Sequence, residues 1–312
     1  GAHQEALDQL LTEILASMMD AGLVTLQTVS QDGMRVRASA GGASFRREST
    51  LEERLAEAEE QVARLAVERE QPDPESSARE KMARERAARE RQERVEEALR
   101  RMPEIQATKE RSKRTKAKGE REKVTEARVS TTDAEARVMK MPDGGFRPAY
   151  NLQLATDEES QVIVGVGVDT TGNDRGQAPA MVEQIEERTG RVPKSYLMDG
   201  GYAQREDIAA LERRGVTVYA PTRAPRTTTS GRTKGDPRPD DPPEVVRWRE
   251  RMETEEAKEI YKGRAATSEC VNAQARRHSL TRLWVRGTKK VINVLLLVAI
   301  THNLLRWIAL TT

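Results

Sequence analysis

The sequence predicts an α/β protein: a mixed sheet flanked by helices, with a charged helical hairpin inserted into it. Three patterns carry that expectation. In 162–168 four valines alternate with Ile163, Gly165 and Gly167, the two-residue period of a strand. From 142 to 220 strand-like and helix-like patterns alternate. Between 50 and 102 the composition turns to Glu and Arg, while Leu51, Leu55, Ala58, Val62 and Leu65 keep a four-three spacing.

With 312 residues the chain can bury a substantial core. Charged residues make up 33% of it, yet the formal net charge is only +2, which excludes a uniformly basic nucleic-acid coat and leaves room for local basic patches. The one cysteine, Cys270, excludes an internal disulfide and any multi-cysteine zinc site, and places the chain in a reducing compartment. His3, His278 and His302 have no metal-ligand spacing, and 3% aromatics argue against base stacking as the main binding mode.

Residues 1–49 read as a helix and the first core strand: apolar residues recur at helical spacing from 6 to 19, Gly22 ends the helix, and 23–29 forms a strand running into Ser30, Gln31, Asp32 and Gly33. Residues 50–125 are the inserted hairpin, broken at Pro72-Asp73-Pro74, and a basic linker. Its second arm has Val95, Leu99 and Met102 as anchors, so most of that arm is a solvated face. From 109 to 123 there are eight basic and three acidic side chains, a local net of +5. That run reads either as a solvated linker or as a phosphate-backbone contact through Lys113, Arg114, Lys116 and Lys118.

Residues 126–221 supply the remaining strands and helices of the core. Pro142-Asp143-Gly144-Gly145 is a turn, and 150–155 with 161–169 form a hairpin around 157–160. The glycine face of its second arm marks a central strand with something packed closely on it. A helix at 178–188, a short strand ending at Leu197-Met198, a helix at 205–214 and a strand at 216–220 follow. Residues 222–243, rich in Pro, Gly, Thr, Asp and Arg, read as a flexible loop, and 244–312 as helical apart from the Arg286-Gly287 turn. Trp248, Met252 and Trp284 read as core anchors. The apolar stretch 291–300 is interrupted by Asn293 and falls short of the roughly 20 residues of a membrane span, so it reads as a buried helix and no membrane partner is expected. The start, Gly1-Ala2-His3-Gln4, has no initiating Met and no signal pattern, which is expected of a chain that begins partway through a longer parent.

Three acids stand out by context. Asp32 and Asp199 each precede a glycine where a predicted strand ends, and Glu269 lies on a predicted helix among small residues. Taken alone, Asp-Gly at a strand end is more often just a turn. Carboxylates converging at a sheet edge would suit Mg²⁺ or Mn²⁺, and a pair of such ions supports phosphodiester displacement.

Asp199-Gly200-Gly201-Tyr202 after an apolar strand, with Tyr261-Lys262-Gly263-Arg264-Ala265-Ala266-Thr267-Ser268-Glu269 and Arg276 beyond it, resembles the bacterial insertion-sequence DDE transposases whose last motif is a Tyr, Arg, Glu, Lys signature. Leu283-Trp284-Val285-Arg286-Gly287, Ala299-Ile300-Thr301-His302-Asn303-Leu304 and Asp32-Gly33-Met34-Arg35, followed by Ala38-Ser39 and Ser44-Phe45-Arg46-Arg47, continue the likeness in the family's order. The resemblance implies an RNase H-like fold, Asp32, Asp199 and Glu269 as a triad for two Mg²⁺ or Mn²⁺ ions, and Tyr261, Arg264 and Arg276 as phosphate contacts. It further implies metal-dependent strand cleavage and 3′-hydroxyl transfer on double-stranded DNA, by a homodimer in the bacterial cytoplasm associated with the nucleoid. Tyr261 and Arg276 lie close to two helical turns either side of Glu269, which puts them near one face. Departures from the family pattern are Arg276 for the frequent Lys, Arg35 for Lys and Met34 for Thr. The family usually has a helical DNA-binding domain before the first acid, whereas about 30 residues precede Asp32 here. Two other readings stand beside this one: a domesticated RNase H-like nuclease, and a non-catalytic DNA-binding or scaffolding protein that uses the hairpin as its arm.

Overall fold

A computed structural model describes residues 2–70, 77–115, 125–222, 236–278 and 280–312. The first elements are α1 (Ala2–Asp20), β1 (Thr28–Arg37), β2 (Phe45–Arg46), α2 (Glu48–Glu70) and α3 (Ala78–Thr115). Next come β3 (Val129–Ser130), β4 (Arg137–Lys140), β5 (Phe146–Asp157), β6 (Ile163–Asp169), α4 (Gln177–Thr189) and β7 (Ser195–Met198). The chain closes with α5 (Arg205–Arg213), β8 (Thr217–Tyr219), α6 (Pro243–Glu253), α7 (Glu255–Arg277) and α8 (Thr288–Thr311). It divides into two compact units, one of Gly1–Val36, Tyr150–Leu283 and Thr288–Thr312, the other of Arg37–Ala149 and Trp284–Gly287.

In the first unit the strands lie in the order β6, β5, β1, β7, β8. β5 and β6 form the expected antiparallel hairpin, whereas β1, β7 and β8 run parallel, as strands joined through helices must. Helices cover this mixed sheet, as the RNase H-like architecture requires; α1 and α4 pack on each other, and α8 packs on α1 and β6. Leu11, Leu15, Met18, Ile163, Ile185, Tyr196 and Leu295 are fully buried in the core.

β6 lies at the edge of the sheet, not at its centre. The apolar character of both its faces misled the sequence reading, because helices cover them. A β-carbon at Gly165 would sit 2.5 Å from the Met181 sulfur, so α4 is the element packed on the glycine side. The edge itself is closed by side chains. Asn303 of α8 donates to the Ile163 carbonyl and accepts from the Ile163 N–H, both at 2.8 Å, and Gln184 of α4 accepts from the Val166 N–H at 2.8 Å.

β1 begins at Thr28, later than the 23–29 run indicated. Leu26 takes a left-handed φ of 55°, a costly conformation for a branched side chain. The Asp157 carboxylate, accepting from the Leu26 N–H at 3.0 Å, and the burial of the Leu26 side chain hold it there. β1 also continues through Asp32 and Gly33, so this Asp-Gly pair lies inside a strand and is not a turn.

The second unit has its own core of Leu51, Val95, Ala98, Met102, Ile105, Ala127, Val129 and Ala134. α2 and α3 form the antiparallel hairpin: Arg91 donates to Gln61 at 3.0 Å, and Gln106 to Glu48 at 2.6 Å. α3 runs on to Thr115 with Pro103 inside it, so Lys113 and Arg114 are helical and not part of a linker. Lys116 and Lys118, and residues 223–235 of the loop read at 222–243, lie outside the described residues. The turn at 142–145 joins β4 to β5, with Gly144 at a φ of 83° and the Met141 N–H donating to the Gly145 carbonyl at 2.7 Å. Trp248 and Met252 are buried, but Trp284 is 77% exposed and anchors no core. α8 spans 24 residues and is long and apolar enough to cross a membrane by length and composition, a test that core helices of soluble proteins also pass. Val291, Leu295, Leu296, Val298, Ala299 and Ile300 on it are buried in the protein.

Candidate active site

The pairing of β1 with β7 sets the site. Its register runs from Thr28 opposite Ser195 to Gln31 opposite Met198, so one step further brings Asp32 on β1 level with Asp199, the first residue beyond β7. Burial raises the Asp32 carboxyl above its ordinary range, Arg264 opposes that, and the negative charges of Asp199 and Asp174 add to it. Asn272 of α7 donates to Asp32 Oδ2 at 2.8 Å and Arg264 to Oδ1 at 3.4 Å. Asp199 accepts from the Gly201 N–H in the turn that follows β7.

Asp174 is a third acid that the sequence reading did not single out. It lies in the loop after β6 and accepts from Asn151 at 2.7 Å and Gln153 at 2.9 Å, both on β5. Gln153 in turn accepts from Gln31 at 3.0 Å and from the Tyr202 hydroxyl, while Tyr196 donates to Gln31 at 2.8 Å. A buried, hydrogen-bonded floor therefore lies beneath the acids. Burial pushes the Tyr202 hydroxyl well above its usual range, with Asp174 and Asp32 adding to the shift, so it remains a proton donor. The sequence signal for Asp174 is its setting in Gly172-Asn173-Asp174-Arg175-Gly176, an acid with a glycine two residues away on either side in the loop after a strand.

On α7, Tyr261 and Arg264 come to this cluster. The Arg264 guanidinium lies 5.9 Å from the Tyr261 ring centre. Burial raises the Tyr261 hydroxyl, Arg264 lowers it, and Asp199 and Asp32 raise it further. Arg264 Nε is buried with no hydrogen-bond partner. Glu158, in the β5–β6 turn, accepts from the Ser30 hydroxyl; burial raises its carboxyl, with Ser30 and then Arg264 opposing. Glu269 is exposed on α7, three residues before the Asn272 that bonds Asp32, and is not among the charges that act on Asp32. Arg276 is exposed in the last turn of α7. Lys113 pairs with Glu110 at 3.0 Å, and Arg114 is exposed beside it. Among the described residues no group of three or more His, Cys, Asp or Glu side chains has the arrangement of a preassembled metal site.

The family described as transposase DDE domain matches residues 112–304, a span that takes in Asp174, Asp199, Arg264 and Glu269. No curated protein and no solved structure matches the chain.

Proposed function

Because the chain belongs to the transposase DDE domain family, whose members are polynucleotidyl transferases and nucleases, we propose that Asp32, Asp199 and Glu269 are its catalytic carboxylates. In this reading it frees a 3′-hydroxyl at an insertion-sequence end and joins that hydroxyl to target DNA. The observation that carries the reading is the level placement of Asp32 on β1 and Asp199 just beyond β7, close enough for the Asp199 charge to act on the Asp32 carboxyl.

The donor set fits Mg²⁺ or Mn²⁺, two ions in this proposal. All the donors are hard carboxylate oxygens, and the Asp32 carboxyl resists ionising beside Asp199 and Asp174, a penalty that a divalent cation relieves. When bound, such ions polarise the scissile phosphate and activate the attacking oxygen. Asn272 orients Asp32 by holding Oδ2. The Arg264 guanidinium, 13% exposed beside Asp32 and with Tyr261 against it, is a donor suited to a DNA phosphate. Glu269 supplies the third carboxylate from the turn next to Asn272, and Arg276 contacts DNA further along the helix. Lys113, Arg114, Lys116 and Lys118 add phosphate contacts, on a homodimer acting in a bacterial cytoplasm.

Mn²⁺ titration by calorimetry and nicking of supercoiled plasmid in Mg²⁺ test the reading together. Asp32→Asn and Asp199→Asn should each weaken Mn²⁺ binding at least tenfold and abolish nicking, and Glu269→Gln should abolish nicking while duplex binding persists. An Asp199→Asn chain that binds Mn²⁺ and nicks like the parent overturns the assignment.

A further inference from the structure

A cavity of about 820 Å³ in the second unit lies between α2 and α3 and is lined by Arg54, Arg64, Arg91, Arg94 and Arg286 against the single acid Glu57. Arginines at this density repel one another unless an anion is present. Three of them, Arg54, Arg94 and Arg286, have no ion-pair or hydrogen-bond partner among the described residues. Arg91 is held only by the neutral Gln61 at 3.0 Å, and Arg64 meets Glu68 at 3.9 Å. None of these residues belongs to the candidate active site, and none lies in the basic run at 109–123.

We infer that this groove holds the phosphate backbone of duplex DNA. The inference rests on the family's action on DNA and is independent of which acids perform the chemistry. Three features favour that occupant. From Arg54 to Arg64 the stripe runs ten residues along α2, about 15 Å at the rise of an α-helix. One DNA strand presents a phosphate every ~3.4 Å along the axis, so the stripe spans about four of them, which a single inorganic phosphate would not use. Guanidinium groups bind phosphate oxygens in pairs through a planar fork, so unpaired arginines are matched to this ligand. The lining holds no aromatic ring for base stacking, and only Ala58 and Val95 are apolar, too little to seat a peptide by burial. The contact is therefore with the backbone and indifferent to sequence.

The test is fluorescence anisotropy of a random-sequence duplex of about 20 base pairs, long enough to cover the stripe, with the full chain in EDTA over a series of salt concentrations. Arg54→Gln/Arg94→Gln/Arg286→Gln removes the three unpaired charges from side chains that support no fold contact. It should weaken binding at least tenfold and flatten the plot of log K against log salt by roughly 2 to 3 units. Arg79→Gln/Arg84→Gln/Arg86→Gln removes the same net charge from α3 outside the groove and should change binding less than threefold. Equal losses in the two variants, or an unchanged slope in the first, overturn the inference. So does a polyglutamate of matched charge that displaces the duplex at lower concentration than unlabelled duplex does, since the groove would then belong to an acidic protein segment. Asp199→Asn failing to abolish nicking would sink the catalytic assignment and leave the groove standing, whereas intact duplex binding by the groove variant would do the reverse.

Discussion

A β-carbon at Gly33 would lie 2.5 Å from Asp174 Oδ1, 2.8 Å from Gln153 Nε2 and 2.9 Å from Asn151 Oδ1, so glycine here makes room for a side-chain cluster. The sequence reading gave the glycine the wrong reason, because Asp-Gly is so common in turns that the pair hides its place inside β1. The protonation of Asp32 is where the acids become measurable. Its carboxyl is raised by burial against the opposing Arg264, so the fold favours the neutral acid. A raised carboxyl contributes stability that is complete below its ordinary value of 3.8 and is lost as pH rises through the raised value in the folded state. Asp32→Asn is neutral at every pH and keeps an oxygen for Asn272. In EDTA it should therefore melt above the parent near pH 7, with the difference shrinking toward pH 4. Mn²⁺ should raise the melting temperature of the parent and leave Asp32→Asn nearly unmoved. A substitution that melts below the parent at pH 7 in EDTA would mean that the Arg264 contact outweighs burial.

At the level of elements, Asn303 and β6 show what a single sequence can and cannot disclose. Asn303 lies in the Ala299–Leu304 stretch, where local pattern gives it no role, and its physical task is visible only once α8 lies along β6. It closes both backbone groups of Ile163 at the sheet edge. Removing the amide leaves a buried donor and a buried acceptor unpaired, at about 1–3 kcal/mol each. Asn303→Ala should lower stability by about 3 kcal/mol by urea denaturation, whereas Asn293→Ala, further up the same helix, should cost less than about 1 kcal/mol. Equal costs would show that the loss arises from packing of α8 and not from the edge. The helices and hairpins were legible because each rests on local periodicity and turn residues: α2, α4, α5 and the β5–β6 hairpin lie where the pattern put them. The edge position of β6 was not, since covering helices give an edge strand the apolar faces of a central one. The continuation of α3 into the basic run as far as Thr115 was hidden for a related reason: high charge reads as linker, although Lys and Arg are good helix formers.

For the molecule as a whole, the hydrogen bonds along β1 and β5 give a deletion that tests whether the second unit is a true insertion. Glu158 N–H donates to the Thr28 carbonyl, and Ala38 N–H donates to the Pro148 carbonyl at 2.9 Å. In both pairs the residue numbers sum to the same value, as they do in an antiparallel ladder, so β1 and β5 are neighbours that 107 intervening residues interrupt between positions 38 and 146. The register leaves Ala38 opposite Pro148, so when Asn-Gly replaces residues 39–145 the two strands join through a four-residue loop of Asn, Gly, Phe146 and Arg147. Such a variant keeps Asp32, Asp174, Asp199, Arg264 and Asn272, all of which belong to the first unit, and it loses the hydrophobic cluster built on Leu51, Val95 and Met102. Residues 284–287 would lose their companions from the second unit, and Trp284 among them is exposed, so the Trp284→Ser exchange should accompany the deletion to limit association. The expected product unfolds in one cooperative thermal transition, binds Mn²⁺ within about threefold of the full chain, and has a flatter salt dependence of duplex binding because the arginine groove and the basic run at 109–123 have gone. If the shortened chain unfolds without cooperativity, the inserted segment is part of the catalytic core and the division into two units does not describe how the protein folds. If it folds and binds Mn²⁺ but holds duplex DNA with the parent's salt slope, the phosphate contacts lie on α7 and its surroundings, and the hairpin serves another partner.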